Sequence, residues 1–374
     1  GAGYAGFNRN KVEAIDHPDI AKTYRLERAK AKTILLGNSR VDLGLNPQSP
    51  HWPADARPAF NLAIPGYSMP TRAQYFEHAL AVGRPTRLVM GFSIDDFWPS
   101  APDAEPIARL RVDAAGKPNA GYWPARLNDL ATSFLSLQTL SDSILTPLKQ
   151  KRDDVSVMAE DGFNNGGALD ARVRQTSARE FMEWKDRDKA PRLLAWAKTR
   201  EIDFAPLERI LAAAAKRNVE VTLFVTPSYV DDYLLFREAG LQADYDKWKR
   251  GLVALVDAAR LRGVKVTLWD FSGVNERSTE ALSGPGGPPL TWFWESQHFK
   301  PALGEEIIAA LTGAKTGYGR VLTGADVEAA IAAHNANLDL FIKDHPADVA
   351  RVREVLAELA PRKAAARAQA GNAS

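Results

Sequence analysis

The sequence contains no cysteine, which excludes disulfide bonds, catalytic thiolates and zinc sites with cysteine ligands. It has no run of about 18 apolar residues, so no transmembrane helix is predicted. It also has little net charge, because 48 basic and 46 acidic residues leave only +2. With no Lys/Arg-rich block either, a nucleic-acid partner held through its phosphates is not expected. No glycine-rich phosphate-binding pattern follows the first predicted strand.

The chain is nevertheless long enough, at 374 residues, for one large α/β domain with insertions or for two domains. Its 45% hydrophobic and 25% charged residues are typical of a globular protein. The absence of cysteine suits an exported protein, which thereby avoids unwanted oxidation. The numbering opens with Gly1-Ala2-Gly3 and no methionine, so we expect that a signal or anchor segment precedes this chain.

Short apolar runs that end in glycine or small polar residues recur along the chain, which is typical of strands leaving a buried sheet. The predicted strands span residues 33–37, 59–64, 87–92, 219–225 and 264–269. Helical patterns separate them, which indicates parallel pairing through helical crossovers. We therefore predict an α/β fold, a three-layer α/β/α sandwich with a parallel sheet.

The strand–helix pattern is interrupted, so the sequence divides into four parts. The predicted α/β domain comprises residues 33–96 and 201–313. Residues 97–200 contain no good strand run and are predicted to form a mostly helical inserted cap. A mixed, polar N-terminal segment, residues 1–32, precedes the domain, and an Ala-rich helical extension, residues 314–374, follows it.

Two short motifs carry candidate catalytic residues. The first apolar run ends abruptly in Gly37-Asn38-Ser39-Arg40, at the carboxyl end of a strand, where open α/β sheets bind ligands. Ser39 there is either a nucleophile or the N-cap of the next helix. In the second motif Glu295 precedes His298 by three residues, so that the acid can reach the imidazole within one turn. A hydroxyl, a base and an acid are what serine-dependent catalysis requires.

These motifs, in this order and placement, resemble the conserved blocks of the SGNH (GDSL-type) hydrolases. Gly37-Asn38-Ser39-Arg40 is similar to the nucleophile block, and residues 61–66 are similar to the second block, whose glycine gives an oxyanion-hole N–H. Glu295-Ser296-Gln297-His298 is similar to the closing Asp-x-x-His block. The resemblance covers roughly residues 30–96 and 219–312. It is nearest to the exported SGNH-like proteins of bacterial exopolysaccharide systems, which include the alginate O-acetyltransferase proteins.

The resemblance implies a catalytic triad and an oxyanion hole. Ser39 is then the nucleophile, His298 the general base, and Glu295 the acid that orients it, in place of the family's usual aspartate. The backbone N–H groups of Ser39 and Gly66 would line the oxyanion hole. The family's third block usually supplies an asparagine donor; this chain has none there, and the hydroxyl of Ser93 is expected to donate instead.

Three further residues are predicted to bind substrate: Arg40, Asp95 and Trp294. Arg40 either holds an anionic or polyol group or forms a structural ion pair with Asp42 or Asp95. Trp294 either stacks on a sugar ring or packs between the cap and the core. Asp270, at a strand end, either replaces the acid of the triad or is a turn residue. No spacing of histidines and acids indicates a metal site, and no cofactor is predicted.

We therefore predict a serine-dependent esterase or O-acyltransferase that acts on acylated carbohydrate, or another acylated small substrate, through an acyl-enzyme. Hydrolase and transferase share the acyl-enzyme step, so the sequence leaves both as alternatives. From the resemblance we also expect a location in the bacterial periplasm, an N-terminal anchor outside this chain, and a membrane acyl-donor protein as partner. The alternative is a non-catalytic carbohydrate-binding or assembly protein on the same scaffold, because function depends on the site and not on the fold.

Overall fold

The computed structural model describes residues 17–103, 106–135 and 156–371, and a six-stranded sheet forms its centre. In chain order the strands are β1 (Thr33–Leu36), β2 (Ala59–Asn61), β3 (Arg87–Phe92), β4 (Glu220–Val225), β5 (Val266–Asp270) and β6 (Arg320–Val321). Their spatial order is β2-β1-β3-β4-β5-β6.

The first five strands pair in parallel, and only β6 runs antiparallel to its neighbour β5. All four residues of β1 are buried, as are five of the six residues of β3, so these strands are apolar on both faces. Continuous apolar strands are expected where helices cover both faces of a parallel sheet. The α/β class and the parallel pairing are confirmed, and the arrangement is compatible with three layers.

The described helices surround this sheet. They are α1 (Pro18–Ala29), α2 (Ser39–Gly44), α3 (Met69–Val82), α4 (Tyr122–Leu135), α5 (Gly167–Gln175), α6 (Ala178–Trp196), α7 (Ala205–Lys216), α8 (Val230–Glu238), α9 (Gln242–Leu261), α10 (Pro301–Leu311), α11 (Val327–Asp344) and α12 (Pro346–Gly371). In the part of the chain described, no helix combines the length and apolarity needed to cross a bilayer.

Several helices begin where a proline was expected to start them. The sequence predicts helices over 206–216 and 301–311, and the structure has Ala205–Lys216 and Pro301–Leu311, each with proline in its first turn. The stretch 168–199, expected as one helical segment, forms α5 and α6. Ser177 separates them, because its side chain accepts a hydrogen bond from the N–H of Glu180 at 3.1 Å and caps α6.

Two observed elements were not predicted, and one prediction extends past the described residues. The helix α8 has seven buried residues with no polar face, so no amphipathic period marks it. The strand β6 has two exposed residues and no apolar run. The helix expected over 125–149 is described only as far as Leu135, and residues 136–155 lie outside the described residues.

The terminal parts of the chain pack onto the sheet-bearing part. Lys22 of α1 is fully buried, and its Nζ lies 2.5 Å from both Asp42 Oδ1 and the carbonyl oxygen of Ala63. At the other end of the chain, α12 packs against α6 of the inserted segment and against α8. The helix α12 therefore joins α6 of the inserted segment to α8.

The carboxyl ends of β1, β2 and β3 lie side by side at one edge of the sheet. The helix α2 starts there and packs against α10. This approach requires glycine at two facing positions, since a Cβ on Gly304 would lie 1.7 Å from the carbonyl oxygen of Gly44 and a Cβ on Gly44 would overlap Phe299. The close packing fixes the start of α2 relative to the loop that precedes α10.

Candidate active site

Ser39 stands at the first position of α2, directly above the end of β1. Asn38, and not Ser39, caps this helix, because its side-chain oxygen accepts a hydrogen bond from the N–H of Arg40 at 2.9 Å. The side-chain amide of Asn38 donates in turn to Asp96 Oδ1 at 3.0 Å. The hydroxyl of Ser39 is thus not needed as a cap.

The loop before α10 brings His298 to this hydroxyl. Ser39 Oγ lies 2.6 Å from His298 Nε2. The loop is closed on itself, since the N–H of Trp294 donates to the carbonyl of His298 at 3.0 Å and Phe293 pairs with Phe299 as an antiparallel bridge. This closure places Glu295 and His298 on the same side of one turn.

Both carboxylate oxygens of Glu295 are engaged. Oε1 contacts His298 Nδ1, and Oε2 accepts the backbone N–H of Gln297 at 2.7 Å. Burial by itself raises the pKa of Glu295, which is 1% exposed, but the imidazole of His298, with smaller effects of Lys185 and the Gln297 N–H, lowers this pKa to about 2. The carboxylate is therefore ionised. It can only accept, so the imidazole proton lies on Nδ1 and Nε2 is left to accept the proton of Ser39.

Ser39 and His298 line a cleft of about 730 Å³. Gly66 also lines it, in a left-handed conformation (φ +77°) that suits glycine. Within the described ranges, neither the N–H of Ser39 nor that of Gly66 donates to another protein group. Two backbone N–H groups of residues that line the cleft therefore have no protein acceptor among the described residues.

The contacts of Ser93 contradict its predicted role as a third oxyanion donor. Its Oγ accepts a hydrogen bond from Arg40 Nη1 at 2.6 Å, and its single proton is donated to Asp95. Ser93 is also buried and absent from the cleft lining. Its hydroxyl therefore serves to position Arg40 and Asp95.

Arg40 and Asp95 were predicted to bind substrate, with a structural ion pair between them as the alternative. The structure shows this ion pair. Arg40 Nη2 lies 3.3 Å from Asp95 Oδ2, and Nε donates to the carbonyl of Gln297 at 3.1 Å. Burial alone would raise the pKa of Asp95, but Arg40, Lys189 and the Ser93 hydroxyl hold it well below its usual range. Both residues border the cleft, but the guanidinium of Arg40, whose side chain is 3% exposed, is occupied by protein partners.

Trp294 and Asp270 lie away from the cleft. Trp294 is 1% exposed, its indole N–H donates to Asp170 at 2.7 Å, and it packs with Leu43 and Phe181. The sugar-stacking prediction for Trp294 is therefore replaced by the packing alternative. Asp270 pairs with Lys249 at 2.9 Å, so it does not replace Glu295 as the acid beside His298.

The helix α6 adds a wall to the cleft that was not predicted from the sequence. Lys185, Asp188 and Arg192 line it, and Asp188 Oδ2 lies 3.2 Å from Lys185 Nζ and 3.1 Å from Arg192 Nη2. One carboxylate is thus shared by two cations. Their spacing of three and four residues places them on one helix face, and this spacing was the signal available in the sequence.

In residues 17–103, 106–135 and 156–371, no three histidine, aspartate or glutamate side chains are grouped as metal ligands would be. No protein-family model matches the sequence, and no curated protein matches it. The chemistry of the Ser39 cleft therefore has to be argued from its geometry.

Proposed function

We propose that the chain is a serine-dependent esterase or O-acyltransferase that acts through an acyl-enzyme. The observation that carries this proposal is the continuous hydrogen-bonded chain from Ser39 Oγ to His298 Nε2, at 2.6 Å, and from His298 Nδ1 to Glu295. A hydroxyl bonded to an imidazole, which is oriented by a buried carboxylate, is the arrangement that activates a serine nucleophile.

The proposed reaction uses each of these groups once in each half. His298 Nε2 takes the proton of Ser39 as Oγ attacks the acyl carbonyl, and the N–H groups of Ser39 and Gly66 stabilise the oxyanion. The imidazolium, stabilised by Glu295, then protonates the departing alcohol, and the acyl group stays on Ser39. In the second half, water or an acceptor hydroxyl loses its proton to Nε2 and attacks the ester. Ser39 leaves and recovers the proton.

An acylated carbohydrate is the proposed substrate. The cleft is open and has a mixed polar lining that suits a polyhydroxylated substrate, including Ser68, Ser100 and the Lys185–Asp188–Arg192 face of α6. The likeness of the motifs to the exported SGNH-like proteins of bacterial exopolysaccharide systems supports the same substrate class. By the same likeness, export to a bacterial periplasm, an anchor outside this chain and a membrane acyl-donor protein are part of the proposal.

A non-catalytic carbohydrate-binding or assembly role is the second candidate, and one observation favours it. The side-chain donor expected at Ser93 is committed to Asp95, which leaves two backbone donors for the oxyanion. Removing one donor of an oxyanion hole typically costs about 10²–10³ in rate. A slow enzyme or a binding protein would both have such a site.

The test is labelling by a fluorophosphonate, followed by mass spectrometry, with ester turnover measured in parallel. We expect one label on wild type, located at Ser39, and none on Ser39→Ala. Ser68→Ala removes another serine of the same cleft and should still be labelled. Equal labelling of Ser39→Ala and wild type would overturn the nucleophile assignment. With p-nitrophenyl acetate as donor, acetylation of an added oligosaccharide indicates a transferase, and release of acetate alone indicates an esterase.

A further inference from the structure

A second cavity, of about 210 Å³, opens at the end of β5 and shares no lining residue with the Ser39 cleft. Its walls are the loop after β5, residues 271–275 with Arg277, and the turn before β6, residues 317–319, with Arg320 at the start of β6. The third wall is one face of α11, with Ala330, Ala333, His334 and Asn337 spaced as successive turns of a helix require.

The floor of this cavity is a buried ion pair. Lys249 is 1% exposed, and its Nζ donates to Asp270 Oδ2 and to Ser272 Oγ, both at 2.9 Å. Asp270 Oδ1 accepts the N–H and the hydroxyl of Ser272 at 3.0 and 2.6 Å. An ammonium has three N–H donors, and two of those of Lys249 are engaged here. The floor therefore carries no net charge and retains one donor beside acceptor oxygens.

His334 adds a donor and an acceptor. It is 6% exposed and held between two tyrosine rings, with centroid distances of 5.0 Å to Tyr233 and 5.5 Å to Tyr245. Among the described residues, neither of its ring nitrogens has a hydrogen-bond partner. Burial, followed by the nearby Lys249, lowers the pKa of His334 to about 3, so the ring is neutral at physiological pH. Buried polar atoms are nearly always hydrogen-bonded, so a ring of this kind in a cavity lining is a candidate partner for a ligand or a water.

We propose that this cavity is a second binding site, which takes a neutral polyhydroxylated ligand no larger than about one sugar ring. A hydroxyl group both donates and accepts, as do the neutral imidazole and the Lys249–Asp270 floor. At the floor an anion would lie against the carboxylate of Asp270, and a cation would lie against Lys249. Two arginines also line the cavity: Arg277 is paired with Glu306 at 2.6 Å, and Arg320 lies at the exposed rim. The volume corresponds to about seven water molecules at roughly 30 Å³ each, below that of pockets for drug-sized ligands.

The site is separate from the proposed catalytic centre. In the sheet, β5 lies three strand positions from β1, which corresponds to about 14 Å at about 4.8 Å per strand. A ligand of one sugar ring at His334 would therefore not contact Ser39. Binding at His334 stands or fails independently of the chemistry at Ser39.

The experiment uses the full chain with ¹⁵N-labelled histidine, whose six rings give separate long-range ¹⁵N–¹H signals. The signals of His334 and His298 are assigned as those absent from His334→Phe and His298→Asn. The probes are the methyl glycosides of glucose, mannose and galactose, with inorganic phosphate as the anion. We expect at least one glycoside to shift the His334 signal saturably, with at least tenfold less effect of phosphate.

Two alanines of α11 provide a matched pair of variants. Ala333→Phe fills the cavity and should weaken the glycoside effect at least tenfold, whereas Ala332→Phe, on the exposed side of the same helix, should leave it unchanged. If Ala333→Phe does not fold, glycoside binding to wild type and to His334→Phe is compared by calorimetry, and a loss of at least tenfold is expected. Any of three results would overturn the proposal: no saturable glycoside shift of the His334 signal, a stronger response to phosphate, or equal binding by wild type, Ala333→Phe and His334→Phe.

Discussion

In the Asp-x-x-His block that residues 295–298 resemble, the acid is usually an aspartate. Glu295 has one methylene more, so its reach to His298 is longer and, in isolation, less rigid. The structure removes this freedom by holding the carboxylate at both oxygens, one on His298 and one on the N–H of Gln297. The side chain is also almost completely buried. A glutamate fixed in this way can orient an imidazole as an aspartate does.

The role of Glu295 predicts unequal effects of two substitutions. Glu295→Gln should keep the fold and lower kcat by about 10²–10⁴, because a neutral amide no longer stabilises the imidazolium and can fix the wrong tautomer. Glu295→Asp should lose less, since it keeps the charge but leaves a gap. Turnover of p-nitrophenyl acetate measures both, with Glu276→Gln, an exposed glutamate, as control. If both Glu295 variants turned over the ester at the wild-type rate, Glu295 would not be the acid of the triad.

The lowered pKa of Glu295 also predicts a pH dependence of stability. In the folded state this pKa is about 2, against an ordinary value of 4.5, so the stabilisation is complete above pH 4.5 and is lost as pH falls towards 2. Glu295→Gln lacks this contribution. The difference in urea midpoint between wild type and the variant should be constant above about pH 5. Below that pH, wild type should lose stability relative to the variant. A difference that is independent of pH down to 3 would contradict the assignment.

The positions of Ser39, Glu295 and His298 could be predicted because each motif has its own local signal: a strand end for the serine and a spacing of three for the other two. The hydroxyl of Ser93 could not be assigned in this way. Its one proton goes to Asp95 because a buried Arg40 brings the two together, and such pairing across the fold leaves no local pattern. The same reason applies to Trp294, whose burial against Asp170 depends on where the inserted helix α5 packs.

At the scale of elements, Arg40 connects three segments that carry the site. It belongs to α2, bonds the carbonyl of Gln297 in the loop before α10, and contacts Ser93 and Asp95 beyond the end of β3. A planar guanidinium can make these contacts together, whereas an ammonium is a single point of charge. We infer that Arg40 positions His298 relative to Ser39 and does not itself contact substrate.

This predicts that Arg40→Lys lowers kcat by about 10–10²-fold with a smaller change in KM, because a displaced base costs rate more than binding. Arg209→Lys is the control, since Arg209 pairs with Glu77 through two hydrogen bonds and does not line the Ser39 cleft. Steady-state kinetics at several pH values, with thermal unfolding of each variant, measure the effect. A change in KM alone would indicate that Arg40 binds substrate instead.

The predictable elements are those that are apolar along a strand or start at a proline, such as β3 and α10. In contrast, α8 is buried all round because it lies between α6, α9 and α12, so its sequence has no polar face to mark it. The edge strand β6 forms by pairing with β5 alone. Both elements are consequences of packing, and packing is specified by distant segments of the chain.

At the scale of the whole molecule, one buried cluster joins the inserted segment to the C-terminal extension. Arg351 of α12 lies 2.6 Å from Asp231 of α8 and 3.6 Å from Asp186 of α6. Burial raises the pKa of both aspartates, and for Asp186 the charge of Asp231 adds to the effect. The guanidinium is thus the cation that allows two carboxyl groups to be buried side by side, beneath the helix that lines the cleft.

Arg351→Met should therefore lower the free energy of unfolding by about 3–5 kcal/mol, because it leaves buried carboxyl groups without their cation. The loss should increase with pH. Without the cation, the pKa values of the two aspartates are higher in the folded state than in the unfolded chain. The folded state then binds more protons, so its stability falls as pH rises. Arg353→Met, two residues further along the helix, is the matched control, because its ion pair with Glu238 is at the surface and its side chain is 62% exposed. Urea unfolding of both variants at pH 5 and pH 8 measures the difference. If the two variants unfold alike at both pH values, the Arg351 cluster does not hold the inserted segment to the C-terminal helices.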